Sequence, residues 1–278
     1  MKDRVVPSRG QRFGEIVVAP VRPATVRRLP ARVIATYVAS VAVGIGLWQL
    51  LSLHTIAYFL PSPVEVVRAL VKLYATGQLI QDVEISTFRI LTGWALGIVV
   101  GVPLGLVMGW WPFTRRLFDP YVEFFRFIPP IAFVSLAIIW FGIGETSKVV
   151  LIFYTTVFII TLNTVAGVLA VEEVKLRAAA ALGADRLQTL SRVVFPATVP
   201  YIVTGSRLAM GNSFLTIVSA EIIAAEHGIG ALIWNARNYA ATDQVFAGIL
   251  VLGAMGFVYD RVIRVVTGRL LRRYGVRT

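Results

Sequence analysis

The side chains able to do chemistry in this sequence are few, and several interrupt long apolar stretches: Arg126, Asn163, Arg207, Asn212 and Glu221. An ionisable group at the centre of a membrane helix costs about 2.5 kcal/mol or more, so such groups face partners or water. Glu123 lies three residues before Arg126, a spacing that allows pairing on one helix face. Two readings of Arg126 and Arg207 follow: structural pairing or snorkelling to headgroups, or lowering the barrier to a crossing anion. Asn163, flanked by Thr161 and Thr164, and Asn212 suit interhelical hydrogen bonds better than ligand contacts. Glu221 suits an outer gate or a pair with an arginine. The two histidines, His54 and His227, fall in connections, and there is no cysteine. An intramembrane enzyme needs a converging nucleophile and base or a metal set, and neither is legible.

The elements that carry these residues are apolar helices. In the stretch "GWALGIVVGVPLGLVMGWW", Gly93, Gly97, Gly101, Gly105 and Gly109 recur every fourth residue with no charge between them. Glycine weakens a water-exposed helix by about 1 kcal/mol relative to alanine, whereas in a bilayer small residues at this spacing let two backbones approach. The stripe predicts a helix-packing face, with Pro103 removing one hydrogen bond inside it. Of the 278 residues, 57% are hydrophobic and 15% charged, which predicts an all-α, multispan membrane protein. The net charge of +12 flanks apolar spans instead of joining a recognition fold, so nucleic acid is excluded as a partner.

Six transmembrane helices are expected, at 33–53, 88–110, 121–142, 148–170, 198–224 and 245–266. A basic tail, 1–32, precedes them, and another, 269–278, follows; the transmembrane domain proper spans 80–268. Within 61–76, "PSPVEVVRALVKLY" offers Ser62 as N-cap, Pro63 at the first helical position and Glu65 for a capping box. Val64, Val67 and Val71 share one face of that short helix, which suits the membrane surface. The tails, Arg115 and Arg116, and the segment holding Lys175, Arg177, Arg186 and Arg192 carry eighteen basic residues, against four on the other side. Both termini are therefore expected in the cytoplasm.

The connection 171–197, "VEEVKLRAAAALGADRLQTLSRVVFPA", reads as helix in water, ended or bent at Gly183 and broken at Pro196. Its alanine face lets another protein come close, with surrounding basic residues to orient it; the plain alternative is a solvated loop. The segment resembles the signature of permease subunits of bacterial binding-protein-dependent ABC importers: Glu-Ala-Ala, three residues, Gly, nine residues, Ile, one residue, Leu-Pro. Arg177, Ala178, Ala179, Gly183, Val193, Phe195 and Pro196 occupy those positions. Arg177 departs from the usual glutamate, reversing the motif's charge.

The resemblance covers about residues 60 to 270. "FFRFIPPIAFVSLAIIWFGIGETSK", "LNTVAGV", "SAEIIAAEHGIG" and "ARNYAATDQVFAGIL" are similar to permeases for nitrate, sulfonate, taurine, bicarbonate and related small anions. It implies the type I ABC importer permease fold in the inner membrane, a second permease copy forming a homodimer, two ATP-binding cassette ATPase subunits docked on a coupling helix within 171–197, and an extracytoplasmic binding protein. ATP and Mg would sit on the partner ATPase, with no cofactor in this chain and no catalysis by it. No G-x-x-x-x-G-K-[ST] sequence occurs; in "GIGETSK" only three residues separate Gly144 from Lys148. A self-sufficient secondary transporter is the alternative, and it predicts inverted repeats and interrupted half-helices that are not evident.

Overall fold

A computed structural model describes residues 31–56 and 58–271. The expected basic tails fall almost wholly outside the described residues. Residues up to Gly46 form one unit and residues from Leu47 another. In the first, the chain is helical from Ala31; that helix, α1, spans Ala31–Leu53.

The second unit continues with α2 (Pro63–Ala75), α3 (Gln78–Trp110), α4 (Pro112–Phe125), α5 (Val134–Phe141), α6 (Glu145–Leu169), α7 (Glu173–Ala181), α8 (Arg186–Thr189), α9 (Phe195–Ala224), α10 (Ile229–Asn238) and α11 (Thr242–Leu270). No strand occurs among the described residues. Five helices are long and apolar enough to cross a membrane, and a sixth crossing results if α4 and the segment Pro130–Phe141 count as one.

The glycine stripe packs on α6. A Cβ added at Gly93 would meet Ile152, at Gly97 Thr156, at Gly101 Ile160, at Gly105 Thr164 and at Gly109 Val168. Each step of four along α3 is matched by a step of four along α6, so the two helices run parallel in close contact. Thr156 and Thr161 add hydroxyl bonds to the carbonyls of Gly93 and Gly101, each at 3.3 Å. α3 continues through Pro103 as one helix.

Because α3 and α6 run parallel, the chain between them must return across the same thickness, and α4 to α5 makes that return. A continuous span over 121–142 is expected from sequence; the structure instead bends it by 89° between Phe125 and Pro130. Pro129 and Pro130 explain the difference, since each lacks an N–H and each disfavours helical backbone in the residue before it. Pro130–Phe133 forms a 3-10 turn that leads into α5.

On the other side of α6, Gly205 of α9 lies against Asn163, and Gly167 lies against Thr198 and Tyr201, an antiparallel pairing. α11 returns antiparallel to α9, with the Phe214 ring tilted at 38° against that of Tyr259 and Arg207 paired with Asp260. α7 and α8 consequently sit at one end of the bundle and α10 at the other.

Candidate functional site

At the end that carries α7 and α8, a short helical arm is built by local rules. Glu173 in its first turn favours the positive helix end, and four alanines with Lys175, Leu176 and Arg177 supply good helix formers. The helix closes with Gly183 in the left-handed region at φ 77°. Its N–H bonds to the Ala180 carbonyl and that of Ala184 to the Ala179 carbonyl, both at 3.0 Å, the paired bonds of a Schellman end. Asp185 then caps α8 reciprocally with Gln188, through bonds of 2.7 and 3.1 Å.

From α8 the chain passes through a π-turn, Leu190–Val194, in which the Phe195 N–H reaches back to the Leu190 carbonyl. The widened turn accommodates Pro196, which has no N–H to offer, and the helix continues into α9. Ala179 is buried and Val193 half-buried, whereas Ala178 and Phe195 face solvent. Leu182 is 88% exposed and Leu187 71%, so large apolar groups flank the Gly183 turn. Arg177 pairs with Glu173 at 2.8 Å and Lys175 with Glu172 at 3.1 Å, along the arm itself.

At the opposite end lies a buried polar cluster that the sequence reading identifies only at Glu221. Arg89 clamps Glu145 with two bonds of 2.5 and 2.6 Å, and reaches Glu221 at 2.7 Å and the His227 carbonyl at 2.8 Å. Glu221 also accepts from Ser86 and from the Gly230 N–H, both at 2.8 Å. Ser86 in turn accepts from the Ile229 N–H, and Asp82 from the Gly228 N–H. Gly228, at φ 126°, leaves room for the Glu221 carboxyl, where a Cβ would overlap it. Gly228 and Gly230 start α10 against this carboxylate. Lys148 is buried beside the cluster, 3.5 Å from Glu145.

A sequence signal for this cluster exists. Asp82, Ser86 and Arg89 extend the glycine stripe backwards at helical spacing, and all of these positions through Gly105 are buried on α3. The carboxylates here are engaged by fixed donors, which is the chemistry of a fastening. Among the described residues, no group of three His, Cys, Asp or Glu could hold a metal ion.

The remaining candidates are dispersed. Arg126 closes α4 and pairs with Glu123 at 2.7 Å at the surface. Arg207 pairs with Asp260 of α11 at 2.8 Å. Among the described residues, Asn163 and Asn212 make no bond between helices: each donates to the carbonyl four residues earlier in its own helix, Ile159 and Leu208. The α6 to α9 hydroxyl bond is made instead by Thr155 and Thr216, at 2.9 Å. Threonine's short side chain reaches across a close helix contact, whereas Asn163 is crowded by Gly205.

Comparison with known proteins accords with this architecture. A probable ABC transporter permease protein of Brucella melitensis is 39% identical over 231 residues, covering 83% of this chain and 94% of that one. The taurine transport system permease protein of Escherichia coli is 37% identical over 82% of this chain and 85% of its own. The nitrate import permease protein of Synechocystis is 32% identical over 81% and 84%. In fold, a chain of the inward-facing MetNI methionine ABC transporter superposes with a TM-score of 0.60 at 18% identity, covering 71% of this chain and 96% of that one. The profile of the binding-protein-dependent transport system inner membrane component matches residues 97–272, and the chain belongs to that family.

Proposed function

We propose that the protein is the permease subunit of an ATP-driven importer for a small anion of the sulfonate, taurine, nitrate, bicarbonate or carboxylate type. The α7–Gly183–α8 arm carries this reading: it projects Leu182 and Leu187 into solvent with a backbone turn fixed by local bonds, as a docking element for a separate ATPase requires. ATP and Mg then belong to that ATPase, and this chain does no catalysis. The named transport roles of the taurine and nitrate relatives support the anion class.

In this reading two copies form the pathway as a homodimer, an extracytoplasmic binding protein delivers substrate, and both termini lie in the cytoplasm. Arg126, Asn163, Arg207, Asn212 and Glu221 then have unequal roles. Arg207 and Glu221 are held by ion pairs that tie separate helices of the bundle and set their positions, while Arg126, beside the α4–α5 bend, pairs only within its own helix, with Glu123, a partner that a passing anion can replace. Arg177 is compatible with docking because its nearest acidic partner is Glu173 on its own helix.

The test is purification of the tagged protein from its native membranes in mild detergent, with the subunits identified and their ratio measured. One ATPase chain per permease chain, lost when the Arg177–Gly183 segment is altered, is the expected result. A stable particle without an ATPase that still transports in vesicles lacking ATP favours the secondary transporter.

A further inference from the structure

α2 has two apolar faces, and only one is used inside the bundle. Val66, Ala69 and Leu73 are buried against Leu232 of α10 and Ala247 of α11, with Leu79 of α3 and Phe246 alongside. The other face carries Val64, Val67, Val71 and Tyr74, which are 53%, 57%, 62% and 64% exposed. At helical spacing these four form one stripe, and Arg68 and Lys72 border it.

The depth of α2 is fixed by what it touches. Leu79 is the second residue of α3, and Phe246 and Ala247 lie in the first two turns of α11. The segment before α2 is tied at the same level. Trp48 donates to the Pro61 carbonyl at 3.0 Å and stacks on Phe246, and Thr242 donates to the Tyr58 carbonyl at 2.7 Å. The ends of three membrane-crossing helices therefore meet at α2, the level at which hydrocarbon gives way to headgroups. Tyr58 and Phe59 are exposed there too, and aromatic rings collect at that boundary.

We infer that the Val64–Tyr74 stripe of α2 is seated in the phospholipid boundary of the leaflet at this end of the bundle, with Arg68 and Lys72 on lipid phosphates. With the opposite face packed, the stripe cannot turn inward, so its apolar area is covered from outside. Neither Arg68 nor Lys72 makes an ion pair among the described residues, while Glu65 is held by Ser62 in the capping box. The bordering charge is thus positive and matches phosphate, most strongly in anionic lipid. This seat depends on where the spans end and not on the importer reading.

The chain has no cysteine, so a single label reports directly. Full-length Val71→Cys carrying an environment-sensitive fluorophore is reconstituted in phosphatidylcholine vesicles with and without phosphatidylglycerol. Quenching by nitroxide lipids labelled near the headgroup, exceeding quenching by deep nitroxides and by aqueous iodide, is the expected result. Phosphatidylglycerol should also raise the melting midpoint of the unlabelled protein, and this shift should be lost in Arg68→Gln/Lys72→Gln. Quenching by iodide alone overturns the inference, because the stripe is then in water. Protection from every quencher overturns it as well, because a second copy or another protein then covers the stripe.

Discussion

Arg89 Nη1 donates to Glu221 Oε1 at 2.7 Å, joining α3 to α9 with both side chains almost entirely removed from solvent. The same guanidinium holds the His227 carbonyl and Glu145, so one side chain ties α3 to α6, to α9 and to the entry of α10. A buried charge is tolerated when its partners fill its hydrogen-bonding capacity, and removing one partner is far costlier than the pair's net worth.

Arg89→Ala should therefore cost about 3–5 kcal/mol by leaving Glu221 buried without its cation. Glu221→Gln, which can still accept from Arg89 and Ser86, should cost less. Thermal unfolding of both variants in the same detergent checks the order, and melting temperatures equal to that of the unsubstituted protein would show that the cluster fastens nothing.

Along the glycine stripe, the price of a methyl group should vary with what lies opposite. A Cβ at Gly105 falls 2.5 Å from Thr164 Cβ and 2.7 Å from the Thr161 carbonyl oxygen, whereas at Gly101 the nearest atoms are at 3.0 and 3.1 Å. Gly105→Ala should destabilise by about 1–3 kcal/mol, the usual range for overpacking, and Gly101→Ala by less. Melting midpoints of the two variants decide it; the reverse order would mean that α3 and α6 separate more readily than their contacts imply.

Gly183 invites a different substitution test, because nothing lies within 4 Å of its missing Cβ and its φ is 77°. Gly183→Ala should cost about 1–2 kcal/mol through the left-handed backbone alone, with Gly183→Asn milder. If the arm docks an ATPase, both variants should insert normally, with ATPase recovery falling more for alanine than for asparagine. Full recovery with both would remove the turn from the docking account.

Acid should loosen α2. The Ser62 N–H and hydroxyl hold the Glu65 carboxyl below the ordinary glutamate range. A carboxyl with a lowered folded pKa contributes stability that is complete above its unfolded value and disappears as pH falls through the folded one. Hydrogen exchange at the start of α2, corrected for intrinsic rates, should accelerate over that acid window in the native protein. Glu65→Gln should lack this acceleration, and a matching one in the variant would locate the effect elsewhere.

What could be read from sequence was local. The Ser62–Glu65 box, the glycine face of α3 and the Gly183 turn depend on spacing within one or two helical turns, and those spacings are explicit. The bend after Phe125 was also written locally, in Pro129 and Pro130, but an uninterrupted apolar run masked it. The spacing of Asp82, Ser86 and Arg89 marks only the α3 side of the Arg89 cluster; Glu145, Glu221 and His227 come to it from distant segments, which no local pattern reports. Asn163 and Asn212 show the converse: polar type alone suggested bonds between helices, whereas close packing left their amides to their own helix.

On the function proposed above, this chain moves an anion only when a separate ATPase works on its α7–α8 arm. The most direct measurement is uptake of labelled taurine, nitrate and an alkylsulfonate into vesicles holding the co-purified complex, with ATP inside and the binding protein outside. Uptake of one of these anions that stops without ATP or without the binding protein, and that falls with Gly183→Ala, is the expected result. Uptake that persists without ATP and is unaffected by that substitution would contradict it.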